Sequence, residues 1–190
     1  MPSLLLTTSR KTSNRVRTFV RDLCSVLPRV ERFNRGGMGL AELTARINQN
    51  GAKAAIIISI WKGNPGEMTV LSSAGQEVIS IRFDRVRLRR EVSSAASIRT
   101  TTVDSVVIKS ESSERAKELA NDIASLLSLN LSERLNPIGA LTEDNQSFIW
   151  FEDDASGKIL WTHYDAHNGL EAGPRILVST FRGSVSSDWQ

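Results

Sequence analysis

The chain has 190 residues, 40% of them hydrophobic and 24% charged, which suits one domain of ordinary size or one domain made of two small halves. No run approaches the roughly 18 consecutive apolar residues of a membrane span, and the N-terminus lacks the basic segment and long apolar run of a signal peptide. The single cysteine, Cys24, cannot form an internal disulfide, so we expect a cytoplasmic protein with no membrane partner.

Charge is distributed unevenly between the halves. Residues 1–92 contain 16 Lys and Arg against 7 Asp and Glu, a net charge of +9, whereas residues 93–190 contain 8 against 14, a net charge of −6. This split indicates that the first half contacts a polyanion. Chance, or attraction between the halves, would also produce it. Most of the basic residues are arginine, which suits phosphate, although genome bias or a hot habitat would produce the same preference.

Apolar periodicity predicts alternating strands and helices in the first half. A short N-terminal strand precedes a helix that begins near Ser13, a favourable N-cap, and ends before Pro28. Its buried stripe has 3.6-residue spacing and consists of Val16, Phe19, Val20, Leu23 and Leu27. There follow a strand at 30–33, a helix at 40–49 stopped by Asn50-Gly51, a buried strand at 54–61, a loop at 61–66, and strands at 68–71 and 78–88.

The strand at 78–88 contains a break in its alternation. Ile79 and Ile81 share one parity, while Val86 and Leu88 share the other. A bulge near Asp84-Arg85 would keep all of these on the core face and leave the arginines at 82, 85, 87 and 89 on the solvent face. Alternatively, the strand ends at this point.

A repeat relates the two halves. Residues 4–27 and 104–127 align at an offset of one hundred positions, which matches Ser13 with Ser113. Ser113 is predicted to cap a second helix that extends to Leu127, whose buried stripe consists of Ala116, Leu119, Ala120, Ile123 and Leu127. In both segments a short apolar strand leads through a polar turn into an amphipathic helix. Such units are common, but the preserved helical register favours internal duplication. We therefore predict an α/β fold of two similar halves, 1–92 and 103–190, joined by a small-residue linker at 93–102; strands at 147–152, 159–164 and 175–182 complete the second half.

The sequence offers little catalytic chemistry. It contains neither of the glycine-rich motifs GxGxxG and GxxxxGK[ST] that bind nucleotides. His163 and His167 lie four residues apart, but in a segment that is predicted as strand and turn, so they do not form the paired ligands of a helix. Cys24 is interpreted as a packed thiol, and the acidic run at 152–154 as a solvated turn. We therefore predict no metal, no cofactor and no enzymatic activity.

Basic residues follow the ends of three successive predicted strands. Carboxyl ends of parallel strands meet at one edge of a sheet, and ligands bind there. Cations for phosphates and an aromatic ring for stacking are what RNA binding requires. Packing of Trp61 in the core is the alternative for that residue. The predicted RNA-binding residues are Arg10 and Lys11, then Arg17 and Arg21 on the first helix, then Arg32, Asn34 and Arg35, and finally Trp61 and Lys62.

Four segments together resemble the Brix-domain family of ribosome-biogenesis proteins, in particular its short archaeal form, which is related to the eukaryotic small-subunit processing factor. They are TTSRKTSNRVRTFVRDL (7–23), RFNRGGMGLAEL (32–43), WKGNPG (61–66) and EAGPRILV (171–178). The resemblance implies two similar α/β halves, each resembling the anticodon-binding domain of class II aminoacyl-tRNA synthetases. It also implies binding of ribosomal RNA or its precursor without catalysis, in pre-rRNA processing or small-subunit assembly, and it adds Arg175 to the predicted contacts.

A second hypothesis belongs to another class of function. The chain would then be a protein-binding adaptor whose acidic half recruits basic ribosomal proteins, with other assembly factors as further candidate partners. RNA binding at graded salt distinguishes the two hypotheses, because phosphate contacts make the affinity depend on salt.

Overall fold

The computed structural model describes residues 3–92, 102–137 and 146–183. Within these ranges the chain forms a mixed α/β fold with one large sheet. Its strands are β1 (Leu4–Thr8), β2 (Val30–Arg32), β3 (Ala54–Trp61), β4 (Asn64–Ser72), β5 (Glu77–Arg87), β6 (Thr102–Lys109), β7 (Asn130–Arg134), β8 (Gln146–Asp153), β9 (Ile159–Asp165) and β10 (Arg175–Gly183). The helices are α1 (Asn14–Cys24), α2 (Leu40–Gln49) and α3 (Glu114–Leu127). The predicted linker lies outside the described residues except for Thr102, which begins β6.

The ten strands follow the order β2-β1-β3-β4-β5-β10-β9-β8-β6-β7. In the first half β1 is parallel to β2 and β3, and β3, β4 and β5 are successively antiparallel. In the second half β6 is parallel to β7 and β8, and β8, β9 and β10 are successively antiparallel. The antiparallel pair β5–β10 joins the halves at the centre. Both halves therefore have the same strand order and the same relative strand directions.

α1 and α3 lie on the same face of this sheet. Val16, Phe19 and Leu23 of α1 belong to one buried cluster with Leu119 and Ile123 of α3, as the 3.6-residue spacing predicts. Each helix begins at its predicted serine cap, whose side chain accepts a hydrogen bond from a backbone N–H in the first turn, at 3.2 Å in both cases. No helix in the described ranges is long and apolar enough to cross a membrane.

The opposite face of the sheet is covered differently in the two halves. In the first half, Leu43 and Ile47 of α2 pack on Leu5, Ala55 and Ile57. In the second half, the same face carries a cluster of aromatic side chains, with the rings of Phe148 and Tyr164 stacked at 5.7 Å. Between these clusters lie the central strands β5 and β10, whose outward side chains include exposed arginines.

The predicted bulge in β5 is confirmed. Phe83 pairs with Val178 and Arg85 with Leu177, so Asp84 is the extra residue. Ile81 and Val86 consequently both face the core. The side chains of Arg85 and Arg87 point to the opposite, solvent-exposed face.

The predicted loop at 61–66 is wrong. The chain turns at Lys62 and Gly63, whose φ angles are +47° and +81°, and β4 resumes at once with Asn64. Two central residues with positive φ form a tight hairpin whose twist matches that of the flanking strands. Glycine, asparagine and proline therefore mark a two-residue turn here, not an irregular segment.

Candidate nucleic-acid interface

The carboxyl ends of β1, β2 and β3 lie side by side at one edge of the sheet. The backbone N–H of Phe33 donates to the carbonyl of Leu6 at 3.0 Å, and that of Ser9 donates to the carbonyl of Ile58 at 2.9 Å. These hydrogen bonds join the segments that follow the three strands. We call the surface formed there by the exposed side chains of Arg10, Lys11, Arg32, Asn34, Trp61 and Lys62 the basic edge.

The turn that leads into α1 is tied to the hairpin after β3. The hydroxyl of Ser13 donates to the carbonyl of Gly63 at 2.8 Å while it accepts the first-turn N–H of α1. The hydroxyl of Ser9 donates to the carbonyl of Lys11 at 2.6 Å. The first turn of α1 has no acidic residue. Its remaining N–H groups and the positive end of the helix dipole therefore add to the attraction that the edge exerts on anions.

Trp61 stands in the solvent at the tip of the hairpin. Its side chain is 68% exposed, so the alternative of core packing is wrong. The ammonium group of Lys62 lies 5.8 Å from the centre of the indole ring, within cation–π range. Gly66 is required beside it, because a Cβ atom at that position would collide with the Cβ of Trp61.

Arg35 lies beneath the basic edge. Its side chain is only 7% exposed, and its Nε donates to the carbonyl of Met38 at 2.8 Å. Burial, with a smaller contribution from Arg10 nearby, lowers its pKa from the ordinary value. Arg35 therefore holds the loop before α2 and contributes charge from below. The side chain of Asn34 accepts a hydrogen bond from the N–H of Gly36 at 3.3 Å and also shapes this loop.

Arg17 and Arg21 extend from the basic edge along the outer side of α1. Both are exposed. α1 runs away from the edge at a rise of about 1.5 Å per residue, so Arg21 lies roughly 12 Å along the helix from Ser13. These two side chains flank the edge and are not part of it.

Arg175 lies on the central strands, away from the ends of β1, β2 and β3. It opposes Arg87 across the β5–β10 pair. Its guanidinium forms a two-pronged ion pair with Glu171, whose carboxylate is 7% exposed, and this pairing raises the pKa of Arg175. Arg175 shares a shallow hollow of about 200 Å³ with Arg85 and Arg87.

Arg85 and Arg87 are functional candidates that sequence reasoning missed. Both are exposed, and they line a cleft that also includes Trp61 and Lys62. They therefore connect the basic edge with Arg175. The alternating arginines of residues 82–90 were the sequence signal for this role, because a bulge at Asp84 places the side chains of Arg85 and Arg87 on the solvent face.

Comparison with known proteins identifies archaeal relatives. A probable Brix domain-containing ribosomal biogenesis protein of Aeropyrum pernix is 36% identical over 90 residues, which cover 45% of this chain and 50% of that protein. A protein of the same description from Methanococcus maripaludis is 34% identical over 93 residues, covering 49% and 52%. The chain thus spans about half the length of these curated relatives. No protein-family model matches.

Solved structures extend the similarity to nearly the whole chain. The crystal structure of a probable ribosomal biogenesis protein from Aeropyrum pernix matches with a TM-score of 0.71 and 25% identity, over 96% of this chain and 97% of the other. An archaeal Imp4-like protein matches with a TM-score of 0.66 over 95% and 99%; at 23% identity it shows the fold alone. The resemblance to the Brix-domain family is confirmed.

In this Brix-like fold, part of the EAGPRILV segment packs against a buried histidine in the core of the second half. His163 is 1% exposed, and its Nε2 accepts a hydrogen bond from Trp161 Nε1 at 3.2 Å. Nδ1 must then carry the proton and donate to the carbonyl of Pro174 at 3.2 Å. Burial lowers the pKa of His163 to about 4, so the ring is neutral. A Cβ atom at Gly173 would lie 2.8 Å from Nδ1, which explains the glycine.

In the described part of the corresponding edge of the second half, carboxylates lie beside the start of α3 and beside Lys109. Asp153 accepts from the N–H of Ser113 at 2.6 Å and from its hydroxyl at 2.8 Å, so a carboxylate occupies the N-terminus of α3. Glu114 lies in the first turn of that helix, and Lys109 forms an ion pair with Glu152 at 3.2 Å. In the described part of the chain, no group of three or more His, Cys, Asp or Glu residues could hold a metal ion.

Proposed function

We propose that this chain is a ribosome biogenesis factor that binds ribosomal RNA or its precursor, in pre-rRNA processing or small-subunit assembly, and that it is not an enzyme. The observation that carries the proposal is the basic edge, where exposed cations and an exposed indole stand on three strand ends that are joined by backbone hydrogen bonds. Relatives that are named as ribosomal biogenesis proteins support the same role.

The mechanism we propose combines two kinds of contact, ionic contacts to phosphates and aromatic stacking on a base. Arg10, Lys11, Arg32 and Lys62 contact phosphates, and Trp61 stacks on a base. Phosphate contacts release counterions and so make the affinity fall with salt, whereas stacking is largely independent of salt. Arg35 supports the RNA-binding surface by holding the loop before α2, and Arg175 supports it from its ion pair with Glu171. Arg17 and Arg21 extend the positive surface along α1.

We also propose that the two halves, 1–92 and 103–190, arose by internal duplication, with each half resembling the anticodon-binding domain of class II synthetases. The identical strand order and the matching caps Ser13 and Ser113 support this origin. Among the residues that the structure describes, the basic edge would then be a feature of the first copy alone.

The test is binding of ribosomal RNA fragments over a salt series. Replacing Arg10 and Lys11 together by alanine should weaken binding to many RNAs alike. It should also flatten the slope of log affinity against log salt by roughly one to two, since each phosphate contact contributes about −0.7 on single strands and about −0.9 on duplex DNA. Affinities and slopes equal to those of the wild type would remove the basic edge from the mechanism and favour the adaptor hypothesis.

A further inference from the structure

A cleft opens where β4 and β5 separate. Their pairing ends at Glu67 and Arg82, although β5 continues to Arg87 alongside β10. The space between the hairpin tip and the end of β5 has a volume of about 690 Å³, within the range of roughly 300–1,000 Å³ that is usual for small-molecule sites. Trp61, Lys62 and Pro65 line it from the hairpin, and Phe83, Arg85 and Arg87 line it from β5.

The charges around this cleft are unbalanced in favour of cations. Its two carboxylates are both neutralised by neighbours. Glu91 forms a two-pronged ion pair with Arg15, and one oxygen of Asp84 forms an ion pair with the ammonium group of Lys158 at 2.8 Å. The exposed cations Lys62, Arg85 and Arg87 form no ion pair within the described ranges. An anion that enters the cleft would therefore meet three available positive charges.

Two aromatic rings stand beside these cations. Trp61 is the most exposed aromatic side chain in the described part of the chain. Phe83 is half-buried and packs edge-on against Phe19 at 5.7 Å, which fixes the ring from behind. The tight turn and the close approach of Gly66 fix the hairpin that presents the indole. The walls of the cleft are thus preformed.

We propose that this cleft binds one unpaired nucleotide of the RNA, with the base against Trp61 and Phe83 and the phosphate held by Lys62, Arg85 and Arg87. This inference rests on the proposed function, which it deepens by assigning single-stranded RNA as the ligand class. A nucleotide has a planar base beside a negatively charged phosphate, and the cleft has aromatic side chains beside cations, so the two are complementary. A base inside a duplex is stacked and paired and cannot enter, so the cleft selects unpaired segments. An acidic peptide would satisfy the cations but would leave the indole unused.

The first experiment maps photo-crosslinks between the wild-type protein and a single-stranded ribosomal RNA fragment that contains 4-thiouridine. Crosslinks on the peptides that carry Trp61 or Phe83 are expected, and they should disappear when a complementary strand pairs the labelled segment. Crosslinks that fall only on other peptides, or that persist unchanged in the duplex, would overturn the assignment of the cleft.

The second experiment compares variants by their affinity for the same single-stranded fragment. Trp61→Ala should weaken binding roughly 5- to 150-fold with little change in salt slope, because stacking is not ionic. Trp61→Phe, which keeps an aromatic ring, is the matched control and should retain most of the affinity. Replacing Arg85 and Arg87 together by glutamine should weaken binding and flatten the slope by up to about 0.7, because the two arginines hold a single phosphate of a single strand.

The outcome separates this inference from the proposed function. If the Arg10/Lys11 double variant loses affinity while the Trp61 and Arg85/Arg87 variants do not, the cleft is not a nucleotide site and the proposed function stands. If none of the variants differs from the wild type, both proposals fail. Trp61→Ala removes an exposed ring, so its thermal unfolding should match that of the wild type; a lowered midpoint with unchanged RNA affinity would show a structural role and contradict the inference.

Discussion

The unit β1–α1 and its counterpart β6–α3 share one architecture but present opposite electrostatics at the start of the helix. In the first, Ser13 donates to the hairpin carbonyl of Gly63, and exposed cations surround the turn. In the second, the carboxylate of Asp153 occupies the same position relative to Ser113. The comparison teaches that the fold does not determine the site. The two units fold alike, and in the described part of the chain only the first of them has a helix N-terminus that no carboxylate occupies.

A second contrast concerns where the positive charge of the first half is used. Arg29 donates to the carbonyl of Leu127 at 3.0 Å, and Lys53 donates to the hydroxyl of Ser128 at 3.0 Å, so both cations reach the C-terminal end of α3. Cations are favourable at that end of a helix dipole. Part of the positive charge of the first half therefore holds the two halves together, as expected if the uneven charge serves attraction between them. The net charge of the first half consequently exceeds the positive charge that is available to RNA.

The largest expected effect is a pH dependence of the free energy of unfolding. It arises in the core of the second half, because both histidines belong to that half. The pKa of buried His163 is about 4 in the folded state, against an ordinary value of 6.5. The unfolded chain therefore takes up a proton first as the pH falls. This contribution to stability is complete above about pH 6.5 and is lost towards pH 4, a loss of roughly 3 kcal/mol. Urea unfolding at several pH values measures it.

Variants of the two histidines sharpen this prediction. His163→Gln should remove most of the pH dependence between pH 6.5 and 4, whereas His167→Gln, which changes an exposed side chain, should preserve it. An equal pH dependence in both variants would mean that the buried imidazole is not its source.

A smaller effect compares the two helix caps. Ser13→Ala and Ser113→Ala should each lower the free energy of unfolding by about 1 kcal/mol, because each serine satisfies a first-turn N–H. Only Ser13→Ala should also weaken RNA binding, since it removes the hydrogen bond that ties the turn before α1 to the hairpin that carries Trp61 and Lys62. Calorimetry and RNA binding on the two variants check this, and loss of RNA affinity in Ser113→Ala would contradict the asymmetry.

The smallest effect concerns the contact between the halves. Arg29→Met should lower the free energy of unfolding by about 0.5 kcal/mol through the loss of one hydrogen bond to the α3 terminus, because Arg29 is exposed. RNA affinity should stay unchanged, because Arg29 lies at the opposite end of the first half from the basic edge, where β2 begins. A drop in RNA affinity without a drop in stability would place Arg29 in the interface.

Local patterns predicted much of this molecule. The helices, the serine caps and the bulge at Asp84 follow from spacing that spans only a few residues, and the structure has them where they were expected. The exception is the end of α1, which stops at Cys24, so that Leu27 of the predicted stripe is buried from the turn that follows. The strand β7 was not predicted, because its polar residues carry no alternation, and pairing with β6 forms it. The hairpin after Trp61 was mistaken for a loop, since composition alone does not distinguish a two-residue turn from an irregular segment.

The candidate site was predicted less completely for the same physical reason. Parallel strands bring Arg10, Arg32 and Lys62 to one edge, which the strand pattern implies. The burial of Arg35 and the pairing of Arg175 with Glu171 depend on tertiary packing that no local pattern contains. The contribution of Arg85 and Arg87 depends on the pairing of β5 with β10, strands that lie in different halves of the chain.

The most direct test of the asymmetry between the halves removes two positive charges from either one. Arg10 and Lys11 are replaced by alanine in one variant, and Lys109 and Lys117 of the second half in the other, so both variants lose the same net charge. Binding of a ribosomal RNA fragment is then measured over a salt series. We predict that the first variant loses affinity and has a salt slope flatter by about one to two, while the second resembles the wild type. Equal losses in both would show that the RNA responds to overall charge, and would contradict a binding site on the basic edge.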